Sequence, residues 1–411
     1  MKRFSFLISM VLIFSLLASC TIVIKTTPPK TWQSMFGGAG DEQVASIVQT
    51  SYGYIGTGYT TSKGSGMKDL YIFKLDENGA LMWENEYGGS GNDEGLCIQK
   101  TSDGGYIVAG YTTSYNNDED VWVMKFYENG EVEWGNSYSN AGGDRANCIQ
   151  ETSDGNYVLT GYTTVTVTAN SQNSGNKDVL FLEIDSDGNI VNGPKRFGGT
   201  DTDEGKWIQQ TRDGGYIIAG YTKSFGAGGN DIYIIKLDSN GDYDWDKTYG
   251  GPNDDVANGI VQSDDGNYVF AGSIGGGSIL TSQLYVAKIS ATGQHNVLWS
   301  KTYGDNYMNS AYSIQKTKDG GYILAGVKDL EVTSIIPFIA TGATYILKLN
   351  SDGNKIWERS YSEGELTAAY SVRQTSDGGY IVGGMLKQAS DDPSDAYVLK
   401  LDQQGQINLD Q

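Results

Sequence analysis

A chain of 411 residues with 56 glycines and 28 tyrosines has about twice the usual share of glycine, which is typical of many tight turns between β-strands. Its single histidine, His295, excludes multi-histidine zinc sites and histidine-based acid/base pairs, and argues against most familiar hydrolase plans. The formal net charge of -21 argues against a nucleic-acid partner, because neutralising phosphates requires clustered lysine and arginine.

The N-terminus has the pattern of an export signal. A basic start, Lys2 and Arg3, precedes an apolar stretch over residues 6–17 that is short for a transmembrane span. The following Leu17-Ala18-Ser19-Cys20 resembles the bacterial lipobox, which implies cleavage before Cys20 and acylation of its thiol and new amino group. We therefore expect a signal peptide over residues 1–19, a tether over 20–31, and an exported protein that is lipid-anchored to the bacterial cell envelope. A plain secretory signal with an incidental cysteine is the alternative.

The rest of the chain is one unit repeated seven times. Each copy has a tyrosine after an Asp-Gly type turn and a glycine four residues later, and successive tyrosines are 51 to 59 residues apart, as expected when each repeat is one supersecondary unit. The tyrosines are Tyr54, Tyr106, Tyr157, Tyr216, Tyr268, Tyr322 and Tyr380, and the glycines are Gly58, Gly110, Gly161, Gly220, Gly272, Gly326 and Gly384.

Within each copy the apolar residues alternate with period two, which predicts strands rather than helices. Four strands per copy, named a to d, are centred in the fourth copy on Ile208, Ile217, Ile234 and Trp245. Seven such copies predict an all-β fold over residues 32–411, a seven-bladed β-propeller of four-stranded antiparallel blades.

The two ends of the repeat array complement each other. Residues 32–36 form an orphan strand d, and the last copy stops before its own strand d. We expect the N-terminal strand to complete the last blade and close the ring, which hides a sheet edge. The rival architecture is an open solenoid, which would need polar caps.

The turn between strands c and d resembles a known motif. Asp76-Glu77-Asn78-Gly79, followed by Trp83, is similar to the tryptophan-docking motif of quinoprotein propellers and of outer-membrane assembly lipoproteins with that fold. The motif is one residue short, so the resemblance does not imply a quinone cofactor. The whole unit is similar to secreted bacterial proteins with Asp-Gly-Gly-Tyr repeats, and the architecture resembles kelch-type propellers. These resemblances imply a fold but no activity.

The connections between strands b and c are the variable part of the repeat. The third and sixth copies carry six extra residues there, over residues 163–178 and 327–344, and such insertions are often functional. The second insertion contains an apolar run over residues 335–340 that includes Phe338. This run is predicted either to fold onto the propeller or to form a protein-contact patch.

The same rim carries acidic crossovers between strand d and the next strand a. Their carboxylates are expected to point toward one end of a central channel, where they could bind Ca²⁺, with its preference for several oxygen ligands, or a cationic partner. The alternative is that they terminate turns and solubilise the surface, since no crossover has a complete calcium-loop spacing. The residues are Asp41, Glu42, Asp93, Glu94, Asp144, Asp203, Glu204, Asp254 and Asp255.

One position in strand a varies from copy to copy, close to that rim. It is occupied by Ala45, Leu96, Asn147, Lys206, Asn258, Tyr312 and Tyr370. With Trp207 beside them, Lys206, Tyr312 and Tyr370 are candidates for a channel mouth that stacks on sugar rings or peptide side chains. The alternative is packing between blades. Cys97 and Cys148, at the next position, are expected to be buried thiols or a disulfide, and His295 to be a solvated loop residue.

These observations favour a non-enzymatic, monomeric, lipid-anchored scaffold that binds a protein partner through its variable b–c rim. No cofactor is expected apart from the calcium considered above. The alternative is a carbohydrate-binding or carbohydrate-cleaving propeller, which would use a pair of rim carboxylates and aromatic stacking. A purely structural surface module is a third possibility.

Overall fold

The computed structural model describes residues 30–115, 118–139, 142–164, 176–276, 281–304, 307–335, 338–389 and 391–407. The predicted signal peptide, Cys20 and residues 20–29 of the predicted tether lie outside these residues. In the part of the chain that is described, all regular structure is β-strand, and no helix there is long and apolar enough to cross a membrane.

Five of the copies form separate four-stranded antiparallel sheets. They are β2 (Glu42–Thr50), β3 (Gly53–Thr60), β4 (Asp69–Leu75) and β5 (Leu81–Tyr87); β6 (Asp93–Lys100), β7 (Tyr106–Thr112), β8 (Asp120–Phe126) and β9 (Val132–Tyr138); β10 (Asp144–Glu151), β11 (Tyr157–Thr164), β12 (Lys177–Ile184) and β13 (Ile190–Phe197); β14 (Asp203–Gln210), β15 (Tyr216–Thr222), β16 (Asp231–Leu237) and β17 (Tyr243–Tyr249); β18 (Asp254–Gln262), β19 (Tyr268–Gly276), β20 (Gln283–Ile289) and β21 (Val297–Tyr303).

The last two copies are joined into one eight-stranded sheet by a single parallel pairing, Gly342 with Leu366. The sixth copy is β22 (Met308–Lys316), β23 (Tyr322–Ile335), β24 (Phe338–Leu349) and β25 (Lys355–Tyr361). The seventh is β26 (Leu366–Gln374), β27 (Tyr380–Lys387) and β28 (Ser394–Leu401), to which β1 (Trp32–Phe36) adds the fourth strand. The all-β prediction with repeated four-stranded antiparallel sheets is therefore confirmed.

The inner strands of each copy are buried on both faces. In the fourth copy β15 and β16 are almost wholly buried, whereas β17 alternates between exposed and half-buried residues. Ile217 and Ile234 of this copy pack in one cluster with Ile260 and Phe270 of the next. The core is thus a set of layers between neighbouring sheets, which is why the inner strands read as continuous apolar runs.

The N-terminal strand pairs where the sequence places it. All five residues of β1 pair with β28, from Trp32 with Lys400 to Phe36 with Ala396. The first and last copies also touch through strand a, since the backbone N–H of Ile47 donates to the Ser371 hydroxyl at 3.3 Å.

Six of the seven d strands carry a tryptophan that packs on the c–d turn of the next copy, and β13 has none. A Cβ on Gly130 would lie 2.5 Å from the Trp83 ring, so only glycine leaves room for the indole. The pairs are Trp32 with Gly79, Trp83 with Gly130, Trp134 with Gly188, Trp299 with Gly353 and Trp357 with Gly405. In the fourth copy Trp245 instead stacks on His295, with ring centroids 3.7 Å apart. His295 therefore lies in a loop as predicted, but its half-buried ring is held against this indole rather than freely solvated.

An ion pair with a buried lysine explains why an aspartate precedes the glycine of the a–b turn. In five copies a buried strand c lysine meets the aspartate of the a–b turn, as Lys125 meets Asp103 at 2.7 Å. Partial burial opposes ionisation of Asp103, but hydrogen bonds from Lys125 and Thr101 hold its pKa at about 2. The other pairs are Lys236 with Asp213, Lys288 with Asp265, Lys348 with Asp319 and Lys400 with Asp377.

The insertion of the sixth copy is an extension of the sheet rather than a loop. β23 and β24 continue as a hairpin until Ile335 pairs with Phe338. Residues 336 and 337 of the predicted apolar patch lie outside the described residues, as do residues 165–175 of the other insertion.

Candidate functional site at the channel mouth

Strand a of every copy contains a β-bulge at the variable position. In the fourth copy Gly205 pairs with Gly220 and Trp207 with Ala219, so Lys206 between them has no partner across the ladder. Such an extra residue bends the strand and re-aims its side chain. The unpaired residues of the seven bulges are Ala45, Leu96, Asn147, Lys206, Asn258, Tyr312 and Tyr370.

The recurrent glycine of strand b makes this bulge possible. A Cβ on Gly220 would lie 1.9 Å from the carbonyl oxygen of Glu204, far inside van der Waals contact. The corresponding distances in the other six copies are 1.7 to 1.9 Å. Only glycine therefore allows strand b to approach the bulged strand. The recurrent glycine of strand b and the variable bulged residue of strand a thus belong to one structural feature.

The bulged residues converge on one cavity of about 230 Å³, and we call this cavity the channel mouth. All seven contribute to its wall, together with Trp207 and Arg373. Because each bulge lies in the first half of strand a, next to the d–a crossover, the channel mouth is on the rim that carries the b–c connections. The structure thus places Lys206, Trp207, Tyr312 and Tyr370 around a single opening.

Two aromatic rings and one ion pair shape the opening. Tyr312 and Tyr370 lie with ring centroids 5.3 Å apart, and burial raises the pKa of both phenols. Lys206 donates to Glu204 at 2.7 Å, and Glu204 also accepts from the Asn147 amide at 2.7 Å. Burial opposes the charge of Glu204, but Lys206 and these hydrogen bonds keep its pKa below the usual range.

A second cavity, of about 170 Å³, shares the walls of Trp207 and Arg373 with the channel mouth. Residues three positions after the bulged residue line this cavity. They are Gln99, Gln150, Gln209 and Gln315 in four copies, and Arg373 in the seventh. The Arg373 guanidinium lies 5.3 Å from the Trp207 ring centroid. Sequence reasoning missed Arg373, although one charged residue in a glutamine column was a usable signal.

The acidic crossovers are mostly inside the junctions between copies. Glu42, Asp93, Asp144, Asp203 and Asp255 are at most 2% exposed. The carboxylates of four of them accept from backbone N–H groups of their own turns: Glu42 from Gly38, Asp93 from Gly89, Asp203 from Gly199 and Asp255 from Gly251, all within 2.7 to 2.9 Å. The backbone N–H of Asp144 donates to the Glu119 carbonyl.

The remaining crossover carboxylates also have partners within the protein. Glu94 accepts from Tyr111, Asp41 from Ser394 and Asp254 from Asn230. Glu204 contacts the channel mouth through Lys206. The expectation that the carboxylates of all five crossovers point into the channel is corrected, because most of these carboxylates accept hydrogen bonds within the turns of the fold. Among the described residues no three such side chains are grouped as metal ligands, and calcium binding stays a prediction.

The predicted disulfide alternative is not formed. Cys97 and Cys148 are buried free thiols with their sulfur atoms 3.9 Å apart. Each thiol lies beside a backbone carbonyl of the next copy, Ile149 O at 3.6 Å and Ile208 O at 3.8 Å, so both serve the contact between inner strands.

Comparison with solved structures establishes the β-propeller fold. The chain is similar to YCF48 bound to D1 peptide (8% identity, TM-score 0.52, covering 92% of this chain and 96% of that chain). It is similar to PorZ, a bacterial surface component of the type-IX secretion system of Porphyromonas gingivalis (12%, 0.50, 89% and 47%). A further similar structure is the β-propeller domain of the Trilobed protease from Pyrococcus furiosus (11%, 0.45, 94% and 100%). No protein-family model and no curated protein sequence matches the chain.

A pair of carboxylates at one junction gives a pH prediction. Burial, and then the charge of Asp203, raise the pKa of Asp178 from 3.8 to about 6. Because the folded state holds this proton more tightly, its contribution to stability is complete below pH 4 and is lost as the pH rises through 6. We expect Asp178→Asn to raise Tm by about 1–3 °C at pH 8 and much less at pH 4, measured by thermal denaturation.

The matched control is Asp187→Asn, which removes the same charge from an exposed turn. An equal effect of both variants at pH 8 would contradict the junction as the cause.

Proposed function

We propose that this protein is a non-enzymatic, monomeric, seven-bladed propeller that is held at the bacterial cell envelope by lipid on Cys20. Its channel mouth and the surrounding b–c rim bind a protein partner. The observation that carries the proposal is the channel mouth itself: a repeated frame presents seven side chains of five different kinds at one opening.

Contacts between the first and last copies support a closed ring. β1 pairs with β28, and the Trp32 indole N–H donates to the Glu77 carbonyl at 2.9 Å. This places Trp32 on the c–d turn of the first blade in the same way that Trp83 lies on the turn of the second. The tryptophan contacts therefore continue across the junction between the last blade and the first.

Contacts between cations and tyrosines recur on the rim around the mouth. In blades one to three a cation lies over the tyrosine of strand b: Lys68 over Tyr59, Arg145 over Tyr111 and Lys177 over Tyr162, at 3.9, 4.0 and 3.5 Å from the ring centroids. Tyrosine and arginine are enriched in interfaces. In YCF48, a propeller is bound to the D1 peptide, which supports a polypeptide ligand for this fold.

The lining of the mouth separates the protein-binding hypothesis from carbohydrate cleavage but not from carbohydrate binding. The described walls of the channel mouth contain no aspartate or glutamate, whereas a carbohydrate-cleaving site needs two facing carboxylates. Carbohydrate binding through Tyr312 and Tyr370 remains the second candidate, because these rings offer stacking faces.

Partner capture tests the proposal. The mature protein is used to capture proteins from its own envelope extract, beside a variant with Lys206→Ala, Tyr312→Ala and Tyr370→Ala. The control variant carries Tyr243→Ala, Leu298→Ala and Ile356→Ala, which are exposed residues on outer strands. We expect the captured partner to fall about tenfold or more with the mouth variant only, because central aromatic anchors dominate interface energy. Equal capture by all three proteins would contradict the site, and binding restricted to a glycan array would favour the alternative.

The anchor is tested separately. We expect Cys20→Ser to move the protein from the membrane fraction to the soluble fraction, because lipid chains anchor by burying their methylene groups. Globomycin should block processing of the wild-type chain. Unchanged membrane association of the Cys20→Ser variant would overturn the lipid anchor but leave the channel mouth untouched.

A further inference from the structure

The charge of the channel is opposite to that of the protein. The whole chain has a formal net charge of -21, yet the charged residues in the described walls of the two cavities are Lys206, Lys316 and Arg373. Lys206 pairs with Glu204, and Lys316 pairs with Asp264. Arg373 is therefore the cation in these walls that has no carboxylate partner among the described residues.

Arg373 spends little of its hydrogen-bonding capacity inside the protein. Its one hydrogen bond among the described residues goes to the carbonyl of the adjacent Val372, at 3.3 Å. Burial lowers its pKa, and the ionisable groups that act against this are the thiols of Cys97 and Cys148 rather than a carboxylate. A guanidinium has five N–H donors, and a desolvated charge without a partner is costly. An anion in the channel would accept hydrogen bonds from these donors and would also neutralise the charge.

The fold does not need a charge at this position. The same column is glutamine at Gln99, Gln150, Gln209 and Gln315, so a neutral amide fits strand a. The side-chain oxygens of Gln150 and Gln209 each accept a backbone N–H of the next blade at 2.8 Å. Their amide NH₂ groups are left as donors, which adds to the preference of the channel for an anion.

The dimensions favour a chain end or a side chain. The two cavities measure about 230 and 170 Å³, each below the roughly 300 Å³ at which pockets for whole small-molecule ligands begin. Tyr312 and Tyr370 line the channel mouth as one packed pair, and Arg373 belongs to the walls of both cavities. A carboxylate carried on a polypeptide fits this shape better than a sugar ring does.

We propose that Arg373 is the receptor for a carboxylate of the partner polypeptide, either an acidic side chain or a C-terminal carboxylate. The group enters the channel mouth beside the packed rings of Tyr312 and Tyr370 and is held by the two-pronged guanidinium, with glutamine amides as further donors. The inference rests on the proposed function and adds the chemistry that the site recognises.

Four labelled probes test it by fluorescence anisotropy: an amidated hexaglutamate peptide, an amidated hexaglutamine peptide, the hexaglutamine peptide with a free C-terminal carboxylate, and an oligogalacturonate. We expect the wild type to bind hexaglutamate, the free-acid hexaglutamine or both, and not the amidated hexaglutamine. The probe that binds identifies the source of the carboxylate. Binding of the oligogalacturonate alone, or of no probe, would overturn the proposal.

The decisive variant is Arg373→Gln, which restores the residue found in four other blades. We expect at least tenfold weaker peptide binding, with Arg373→Lys between the two, because a lysine keeps the charge but loses the fork. Arg212→Gln, which removes an exposed arginine on the opposite rim, is the control and should bind like the wild type. Unchanged binding by Arg373→Gln would overturn the proposal.

Stability gives a second readout. Without ligand, Arg373→Gln should melt at the same temperature as the wild type or higher, since the charge that it removes has no carboxylate partner and only the Trp207 ring beside it. A clear loss of stability would mean that Arg373 is a structural residue and would overturn the inference. If Arg373→Gln captures the envelope partner as well as the wild type does while the mouth variant fails, the carboxylate inference falls and the proposed function stands.

Discussion

The contact between the recurrent glycine of strand b and the bulge of strand a is the constraint on which the site depends. The carbonyl of Glu204 approaches so close to Gly220 that no side chain fits, and the same approach occurs in all seven copies. The bulge leaves one residue without a partner across the ladder, and this residue is free to vary because the backbone around it is already fixed. The frame therefore separates the positions that specify the fold from those that specify the ligand.

Other repeated contacts serve the frame alone. Tryptophans such as Trp83 fix neighbouring blades at the outer edge, and ion pairs such as Lys125 with Asp103 fix the a–b turns. Many of the acidic residues, such as Asp203, are buried in the junctions between copies, where they accept hydrogen bonds from their own turns. The bulk charge of the chain therefore says little about the channel, whose charged wall residues are basic. Arg373, at the meeting point of the two cavities, is the clearest departure from the repeat and the centre of the proposed recognition.

The sequence allowed most of the frame to be predicted, because the frame is made of local patterns that recur. The four strands expected around Ile208, Ile217, Ile234 and Trp245 are β14 to β17, and the pairing of residues 32–36 follows from a missing strand in the last copy. The direction of individual side chains was harder to predict from the sequence. A one-residue bulge reverses the alternation, so Asp203 turns into the junction although period two alone leaves its direction open. The stacking of His295 on Trp245 and the cluster around Arg373 depend on contacts between blades, which no local pattern contains.

The central claim is that the recurrent glycine of strand b positions each bulged residue of the channel mouth, because no larger residue fits there. Thermal denaturation of single glycine variants tests this claim most directly. Gly220→Ala and Gly384→Ala place a Cβ about 1.9 Å from a carbonyl oxygen, whereas Gly135→Ala on β9 has its nearest contact at 3.7 Å. The account predicts that the first two variants lose about 3 °C or more in Tm and that Gly135→Ala melts like the wild type. Equal melting temperatures for all three would show that strand b does not press on the bulge, and would contradict the account.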